Sequence, residues 1–383
     1  MTDFIKSLTD QLPAYLRDLE TLVNTDCGTH NKAGVDAIAR VMRERFREFG
    51  AEVLEFPHEK FGNMLYGRWK GAGTARIVML GHMDTVYADG TTQQISFHKL
   101  GSRYKGPGVG DMKSGLLLGL YAAHALVQSG FDQFAEIGLF CNSEEEIGSP
   151  ASRELYAQFV RGATAALVLE GARESGAIVS ARKGVATYTV TARGKAAHAG
   201  VEPEKGANAI LALAQHIQAL QALNGFRPGL TLNVGVVRGG TKSNVVADLA
   251  TAEIDVRVLS AADVAPLEET MREILARPGV AGVTAELSGG LKNPPMEKTA
   301  AITRLAEMAK RIARDLGFEL ADVTTGGGSD GNYTAALGTP TLDGLGPICG
   351  KGHNALEEFL DGTSIIPRAA LLAQLLAAIA AVR

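Results

Sequence analysis

Cysteine is scarce: Cys27, Cys141 and Cys349 are the only three in 383 residues, odd in number and far apart. With no CxxC pair, neither a disulfide framework nor a cysteine-built zinc site is expected. Tryptophan occurs once and aromatic residues make up 6%. No apolar run is expected to be long enough to cross a bilayer, which sets membrane spanning aside. The start, Met1-Thr2-Asp3-Phe4-Ile5-Lys6-Ser7, turns acidic and polar at once and lacks the apolar stretch of a secretory signal. These absences imply a cytoplasmic protein with reduced thiols. A positive excess is missing too, since 38 Lys and Arg against 42 Asp and Glu give a net charge of −4 without a basic stripe. Nucleic acid is therefore a poor partner, and small-molecule chemistry is favoured.

What is present is a chain of 383 residues, 46% apolar and 21% charged, longer than one ordinary core of roughly 100–200 residues. Two domains are expected. Leu12, Leu16, Leu19 and Val23 mark one amphipathic helix, and Val35, Ile38, Val41, Met42, Phe46 and Phe49 a second. Short apolar runs, Ile77 to Leu80, Ile137 to Phe140 and Ala165 to Leu169, then alternate with helical stretches, as in an α/β sheet protein. From about Arg182 the pattern becomes strand, helix, strand, strand, helix, strand, the ferredoxin-like order β-α-β-β-α-β. After Pro294-Pro295 the first style resumes. The expected division is thus 1–181 with 292–383, interrupted by an inserted unit at 182–291.

The run ending at Leu80 is followed by Gly81-His82-Met83-Asp84-Thr85-Val86. An imidazole and a carboxylate then stand at the carboxyl end of a buried strand, where ligands of open α/β sheets gather. Asp84, two residues on, can hold the His82 ring in the tautomer a metal requires; a surface strand end is the bland alternative. In Gly106-Pro107-Gly108-Val109-Gly110-Asp111-Met112-Lys113-Ser114-Gly115, glycines precede an acid that opens a Leu-rich helix. Asp111 reads as an N-cap, yet so many glycines imply backbone passing close to something bulky or charged. A nucleotide phosphate fails as that object, because neither the dinucleotide fingerprint nor the P-loop order is present.

Asn142-Ser143-Glu144-Glu145-Glu146-Ile147-Gly148-Ser149 sets three carboxylates directly after a strand. Adjacent acids repel one another. A cation resolves the conflict, with a solvated acidic loop as the alternative. Glu170 ends the next apolar run and belongs to the same sheet edge. His353, in Gly350-Lys351-Gly352-His353-Asn354, is the fifth candidate. His30, His58, His98, His124 and His216 lack such surroundings and read as structural.

Together, His82-Met83-Asp84, Gly110-Asp111-Met112-Lys113, Glu145-Glu146-Ile147-Gly148, Glu170 and His353 resemble the zinc exopeptidase family of glutamate carboxypeptidase. That family also contains acetylornithine deacetylase and succinyl-diaminopimelate desuccinylase. The resemblance runs in order over nearly the whole chain. It implies an α/β sheet catalytic domain with an inserted ferredoxin-like dimerisation domain, and hence a homodimer. It also implies two zinc ions per chain, although the same ligands suit cobalt or manganese. By the resemblance Asp111 bridges the ions, His82 and Glu170 complete one site, and Glu146 and His353 the other. Glu145 would be the general base and, with Asp84, the catalytic pair.

In Gly194-Lys195-Ala196-Ala197-His198-Ala199-Gly200, His198 resembles the histidine that reaches the partner subunit's active site. Asn244, in Lys242-Ser243-Asn244-Val245, resembles an amide that assists it at the oxyanion. Arg257, with Gly327 and Gly328 of the loop Thr325-Gly326-Gly327-Gly328-Ser329-Asp330, resembles a pocket for a free α-carboxylate. A planar guanidinium fork and consecutive glycine N–H groups suit that anion. Arg257 as an ordinary surface residue stays open as the alternative. The resemblance further implies a cis peptide at Asp111-Met112.

The implied reaction is hydrolysis of an amide next to a free α-carboxylate in a small peptide or N-acyl amino acid. One form is a carboxypeptidase of the glutamate carboxypeptidase type, the other a deacylase of the acetylornithine or desuccinylase type. Where glutamate carboxypeptidase carries a basic residue after the Glu170 position, this stretch reads Gly171-Ala172-Arg173-Glu174-Ser175-Gly176-Ala177-Ile178, with Arg173 its only cation. Selection of glutamate is therefore not implied. Related dipeptidases and tripeptidases carry aspartate at the Glu170 position, so glutamate there points away from an aminopeptidase. A catalytically silent binding member of the same fold is the reading from another class. A complete ligand set beside Glu145 speaks against it.

Overall fold

The computed structural model describes residues 4–382. Its main sheet has six strands in the order Glu52–Phe56, Met64–Lys70, Glu136–Asn142, Arg76–His82, Ala165–Val168 and Thr341–Leu342. The first three neighbours pair antiparallel, and from Glu136–Asn142 onward the pairing is parallel. Strands buried on both faces read as continuous apolar runs, which is why this centre was visible in the sequence. The strands at Glu52–Phe56 and Met64–Lys70 were not anticipated. The former is largely exposed at its edge and the latter is interrupted by Gly67 and Arg68, so neither makes an apolar run.

Register aligns the functional ends. His82 lies opposite Asn142, and Leu80 opposite Val168, which brings Glu170 level with His82 two residues further on. The helix Ser114–Gln128 is apolar nearly all round and buried, with Phe4–Val23 and Ile365–Ala380 packed on it. At Gly115 a Cβ would stand 1.9 Å from the Leu169 carbonyl oxygen. Only glycine lets the start of this helix sit that close to the strand end that delivers Glu170.

The expectation that no apolar run reaches membrane-spanning length fails at Gly362–Ala380, 19 residues with a mean hydropathy of 1.6. Packing explains its composition: 61% of its most apolar window is buried within the protein. Leu371, Leu372, Leu375 and Leu376 are enclosed. Buried Arg368 donates to the carbonyl oxygens of Gly346 at 3.0 Å and Gly344 at 2.5 Å, which satisfies its charge inside the core.

The chain divides into two compact units. One comprises the chain up to Ser180, Lys298–Thr324 and the chain from Ser329 onward; the other is Ala181–Glu297 with Thr325–Gly328. The sequence pattern placed the insert at 182–291. The added length arises because Thr284–Asn293 is a full ten-residue strand, its second half hidden from a pattern reading by Gly289 and Gly290. The inserted unit is a four-stranded antiparallel sheet in the order Thr231–Gly239, Leu249–Val258, Gly184–Arg193 and Thr284–Asn293. Its helices Ala209–Gln221 and Val264–Ala276 bury Leu213, Leu220, Leu267, Met271 and Leu275 against Val190, Ile254, Val256 and Val258. The chain order is β-α-β-β-α-β.

Candidate metal and catalytic site

His82 closes the strand Arg76–His82 and is 1% exposed. Its Nδ1 lies 3.0 Å from the Asp84 carbonyl oxygen and 3.3 Å from the Asp84 carboxylate. Its Nε2 faces Asp111 Oδ1 at 3.2 Å and Glu170 Oε1 at 3.5 Å. The second Asp111 oxygen, Oδ2, meets His353 Nε2 at 3.2 Å, and the same nitrogen is 3.3 Å from Glu146 Oε2. Asp111 therefore stands between two imidazoles, one at each carboxylate oxygen. Donor atoms of His82, Asp111 and Glu146 lie within 4.8 Å of one another, as do those of His82, Glu145 and Glu170.

Three loops bring these groups together. Asp111 sits in a tight turn after Gly110, and the Asp111–Met112 peptide is cis. His353 has a φ of +66°, and a Cβ at neighbouring Gly352 would stand 3.1 Å from Asp111 Oδ2, so a side chain there would crowd the carboxylate. The carboxylate of fully buried Asp84 accepts the Glu145 amide at 3.1 Å, the Glu146 amide at 3.3 Å and the Thr29 hydroxyl at 2.6 Å. One side chain thereby orients the His82 ring and pins the turn that carries both glutamates.

The three consecutive acids have separate fates. Glu144 turns away: its carboxylate accepts the Ser152 amide at 2.7 Å, the Ala151 amide at 3.1 Å and the Ser143 hydroxyl at 2.9 Å, a structural role. Glu145 and Glu146 face the histidines. Burial pushes the Glu146 carboxyl up to about 8, with the charges of Asp111 and Asp84 adding to it. Burial likewise raises Glu145 and Glu170. Burial alone would lower His82, but hydrogen bonds to Asp111, Asp84 and Glu170 raise it. Asp111 is driven up by burial yet held well below the usual range by His353 and His82.

So many acids around two imidazoles call for further positive charge. Glu146 Oε1 is buried with no hydrogen-bond partner, an orphan acceptor that costs free energy unless a cation takes it. The donor set of carboxylate oxygens and imidazole nitrogens fits a divalent metal.

Comparison with known proteins agrees. Residues 180–283 match the family model of a peptidase dimerisation domain, of the M20 group. Carboxypeptidase G2 of Pseudomonas sp. (strain RS-16) is 28% identical over 368 residues, covering 95% of this chain and 88% of that protein. Acetylornithine deacetylase of Myxococcus xanthus is 28% identical over 290 residues, covering 70% and 74%. In structure the chain is similar to aminopeptidase PepT of Bacillus cereus ATCC 10987, with a TM-score of 0.81 at 26% identity, covering 96% and 98%. Over residues 180–283 the chain carries a peptidase dimerisation domain of the M20 type, and its relatives and structural neighbours are metallopeptidases and amidohydrolases.

The Asp111 turn is held by a residue that no motif signals. Buried Glu358 accepts the amides of Gly108 at 3.0 Å, Gly110 at 2.8 Å and Asp111 at 3.0 Å, and the Tyr87 hydroxyl at 2.5 Å. Burial nevertheless raises its carboxyl above the ordinary value. It lies about 250 residues from the turn it supports, in a stretch with neither glycine nor histidine beside it, so no local pattern announces it.

The remaining sequence candidates lie in the inserted unit, where they form two groups. His198 and Asn244 are exposed neighbours: the Ala199 amide donates to the Asn244 carbonyl oxygen at 3.0 Å, and His198 Nδ1 accepts the Gly200 amide at 3.2 Å. The Arg257 fork is already engaged by Asp255, at 2.8 and 3.0 Å, with the Gly326 carbonyl oxygen at 3.5 Å. The carbonyl oxygens of Gly327 and Gly328 each accept from Arg182 at 3.1 Å. Arg182 was not singled out in the sequence. Of the histidines read as structural, His124 stacks on Phe49 at 3.7 Å and burial lowers its pKa.

Proposed function

We propose that the chain is a two-zinc hydrolase cleaving an amide next to a free α-carboxylate, as a carboxypeptidase of the glutamate carboxypeptidase type or an N-acyl amino acid deacylase. The observation that carries the reading is Asp111, whose two oxygens each meet an imidazole at 3.2 Å. In this reading Asp111 is shared, His82 and Glu170 complete one metal site, and Glu146 and His353 the other. Cobalt or manganese suits the same donors. Two bound cations would polarise the scissile carbonyl and acidify a water at neutral pH.

The chain's own residues do the rest. Asp84 keeps the His82 proton on Nδ1 and so leaves Nε2 as a lone-pair donor. Glu145 accepts the proton of the attacking water at a carboxylate oxygen and returns it to the leaving nitrogen; its burial-raised pKa suits holding that proton in between. His198 of a partner subunit, with Asn244, would face the developing oxyanion, which makes a homodimer the working unit. Arg257 with Gly327 and Gly328 would hold the α-carboxylate, provided substrate competes with Asp255 for the fork. A cytoplasmic location is supported by three free cysteines.

Likeness to an aminopeptidase structure favours a second reading, cleavage next to a free amine. Blocking the amine of a dipeptide abolishes turnover under that reading and leaves it intact under the first. The main test is Glu145→Gln: metal content stays near two per chain while kcat for N-acetyl amino acids drops at least about 100-fold. Wild-type turnover in that variant would remove Glu145 as the base.

A further inference from the structure

The segment from Asn142 to Ser149 carries Glu145 and Glu146, and both of its end residues are held by another acid, Asp330. The Asn142 side-chain amide donates to Asp330 Oδ2 at 2.8 Å, and the Ser149 hydroxyl donates to Asp330 Oδ1 at 2.5 Å. The same Asn142 nitrogen reaches Ser149 Oγ at 2.7 Å, so three side chains close one ring of hydrogen bonds. Asn142 and Ser149 are fully buried and Asp330 nearly so. A third donor, the Tyr156 hydroxyl, approaches Asp330 Oδ1 at 3.4 Å. An ionised carboxylate accepts at both oxygens and donates at neither, which is what converging donors require.

Ser149 depends on that hold. Its φ is +55°, in the left-handed region that a residue with a Cβ enters only at a cost. In this conformation its amide donates to the Glu144 carbonyl oxygen at 3.0 Å and closes the turn over Glu145 and Glu146. At the other end, Asn142 Oδ1 accepts the Glu144 amide at 3.1 Å and the Ser152 hydroxyl at 2.8 Å. Asp330, by contrast, is fixed from its own side. It opens the helix Asp330–Ala336, where Ser329 Oγ accepts the Gly331 amide and Asn332 Oδ1 accepts the Ser329 amide, each at 3.0 Å. The Ser329 hydroxyl in turn donates to buried Asp343 at 2.5 Å. Asp84 thus grips the middle of the glutamate turn through its amides, and Asp330 grips its two ends.

We infer that Asp330 is a positioning residue, which acts through Asn142 and Ser149 to hold the turn that aims Glu145 and Glu146. The inference rests on the amide-hydrolase reading above, in which Glu145 is the base and Glu146 a metal ligand, and deepens it. Loosening the ends of the turn displaces both carboxylates while leaving the surfaces that bind substrate in place. A displacement of about 1 Å at a reacting group costs up to about 100-fold in rate.

The experiment compares wild type, Asp330→Asn, Ser149→Ala, Ser149→Gly and the double variant of Asp330→Asn with Ser149→Ala. Full chains at saturating zinc are assayed on N-acetyl amino acids and amine-blocked dipeptides. Asp330→Asn turns one acceptor into a donor that faces donors, and is expected to lower kcat about tenfold or more with KM within about twofold. Ser149→Ala gives a similar loss. The double variant loses no more than the worse single one, because both remove the same clamp. Ser149→Gly loses less than Ser149→Ala, since glycine takes the left-handed conformation without support. Additive losses, a rise in KM at unchanged kcat, or wild-type kcat in both single variants overturn the role. Hydrogen exchange gives a readout that needs no turnover. In Asp330→Asn and Ser149→Ala the Glu145 and Glu146 amides are expected to exchange about tenfold faster or more, while the strand Arg76–His82 keeps its wild-type rates. Faster exchange throughout, or none, overturns the role. If wild type hydrolyses none of the substrates, the hydrolase reading fails, and hydrogen exchange alone then decides whether Asp330 holds the turn. Should Asp330→Asn not fold, the two Ser149 variants carry the same test.

Discussion

Glu358 does for the Asp111 turn what Asp84 does for the His82 strand end: one buried carboxylate gathers several backbone amides and so sets where the next functional group points. Three glycine-turn amides that would otherwise compete for water are spent on it. Glu358→Ala leaves those donors unsatisfied, at about 1–3 kcal/mol for a buried group, and frees the turn to move. Zinc affinity is expected to fall about 10–100-fold, while Glu358→Gln, which keeps one acceptor oxygen, loses less. Competition against a chelating indicator measures both. Unchanged affinity in a folded Glu358→Ala protein would reduce the residue to a packing role. At this scale the local pattern picked out the acids proposed as ligands, while only the resemblance, not the spacing, separated Glu144 from Glu145. Adjacent side chains in a turn diverge according to which amides lie near, and those amides belong to Ala151 and Ser152.

Between elements, Asp322 at the head of the strand Asp322–Thr325 accepts Lys298 at 2.5 Å, Lys310 at 2.6 Å and the Ser180 hydroxyl. It ties the strand Ile178–Arg182, the helix Ala300–Asp315 and the residue Lys298 just before that helix. Burial pushes its carboxyl up, but Lys298, Lys310 and Ser180 outweigh that and hold it well below the ordinary carboxylate value. The folded pKa is thus lower than the unfolded one of about 4. The stabilisation is complete above that value and is lost as pH falls through the folded pKa. Chemical denaturation at neutral pH should find Asp322→Asn less stable than wild type, and the two should converge in strong acid. A constant gap across pH would locate the effect elsewhere. Element boundaries were legible where burial on both faces left a continuous apolar run. They were lost in the Glu52–Phe56 and Met64–Lys70 strands and beyond Gly289, where half-exposed positions and glycine erase the signal.

For the whole molecule, the inserted unit exposes Ile210, Leu211, Val237 and Leu249, which are 44%, 51%, 54% and 44% accessible. Surface apolar side chains on a unit that matches a dimerisation domain suit a self-complementary contact between copies. A sedimenting mass of twice 40.2 kDa is expected. If His198 serves the partner's site, His198→Ala and Glu145→Gln each abolish turnover alone. Subunit exchange between them should restore roughly a quarter of wild-type activity, since half the dimers become mixed and each keeps one intact site. No recovery in exchanged dimers would confine each site to a single chain.

Sequence alone pointed to the α/β class, the ferredoxin-like insert and the six groups proposed for the site, because each of these is local. A parallel strand must be apolar, its carboxyl end must be polar to bind anything, and the glycines that let backbone approach a site lie beside the residue they serve. The tertiary structure decided what depends on distance along the chain. It joined Asp111 to His353 and to Glu358, turned Glu144 away, placed the apolar C-terminal helix inside the core and closed the Arg257 fork on Asp255. Spacing in sequence carries no information on such pairings, since they arise only when separate strand ends and loops are brought to one edge of the sheet.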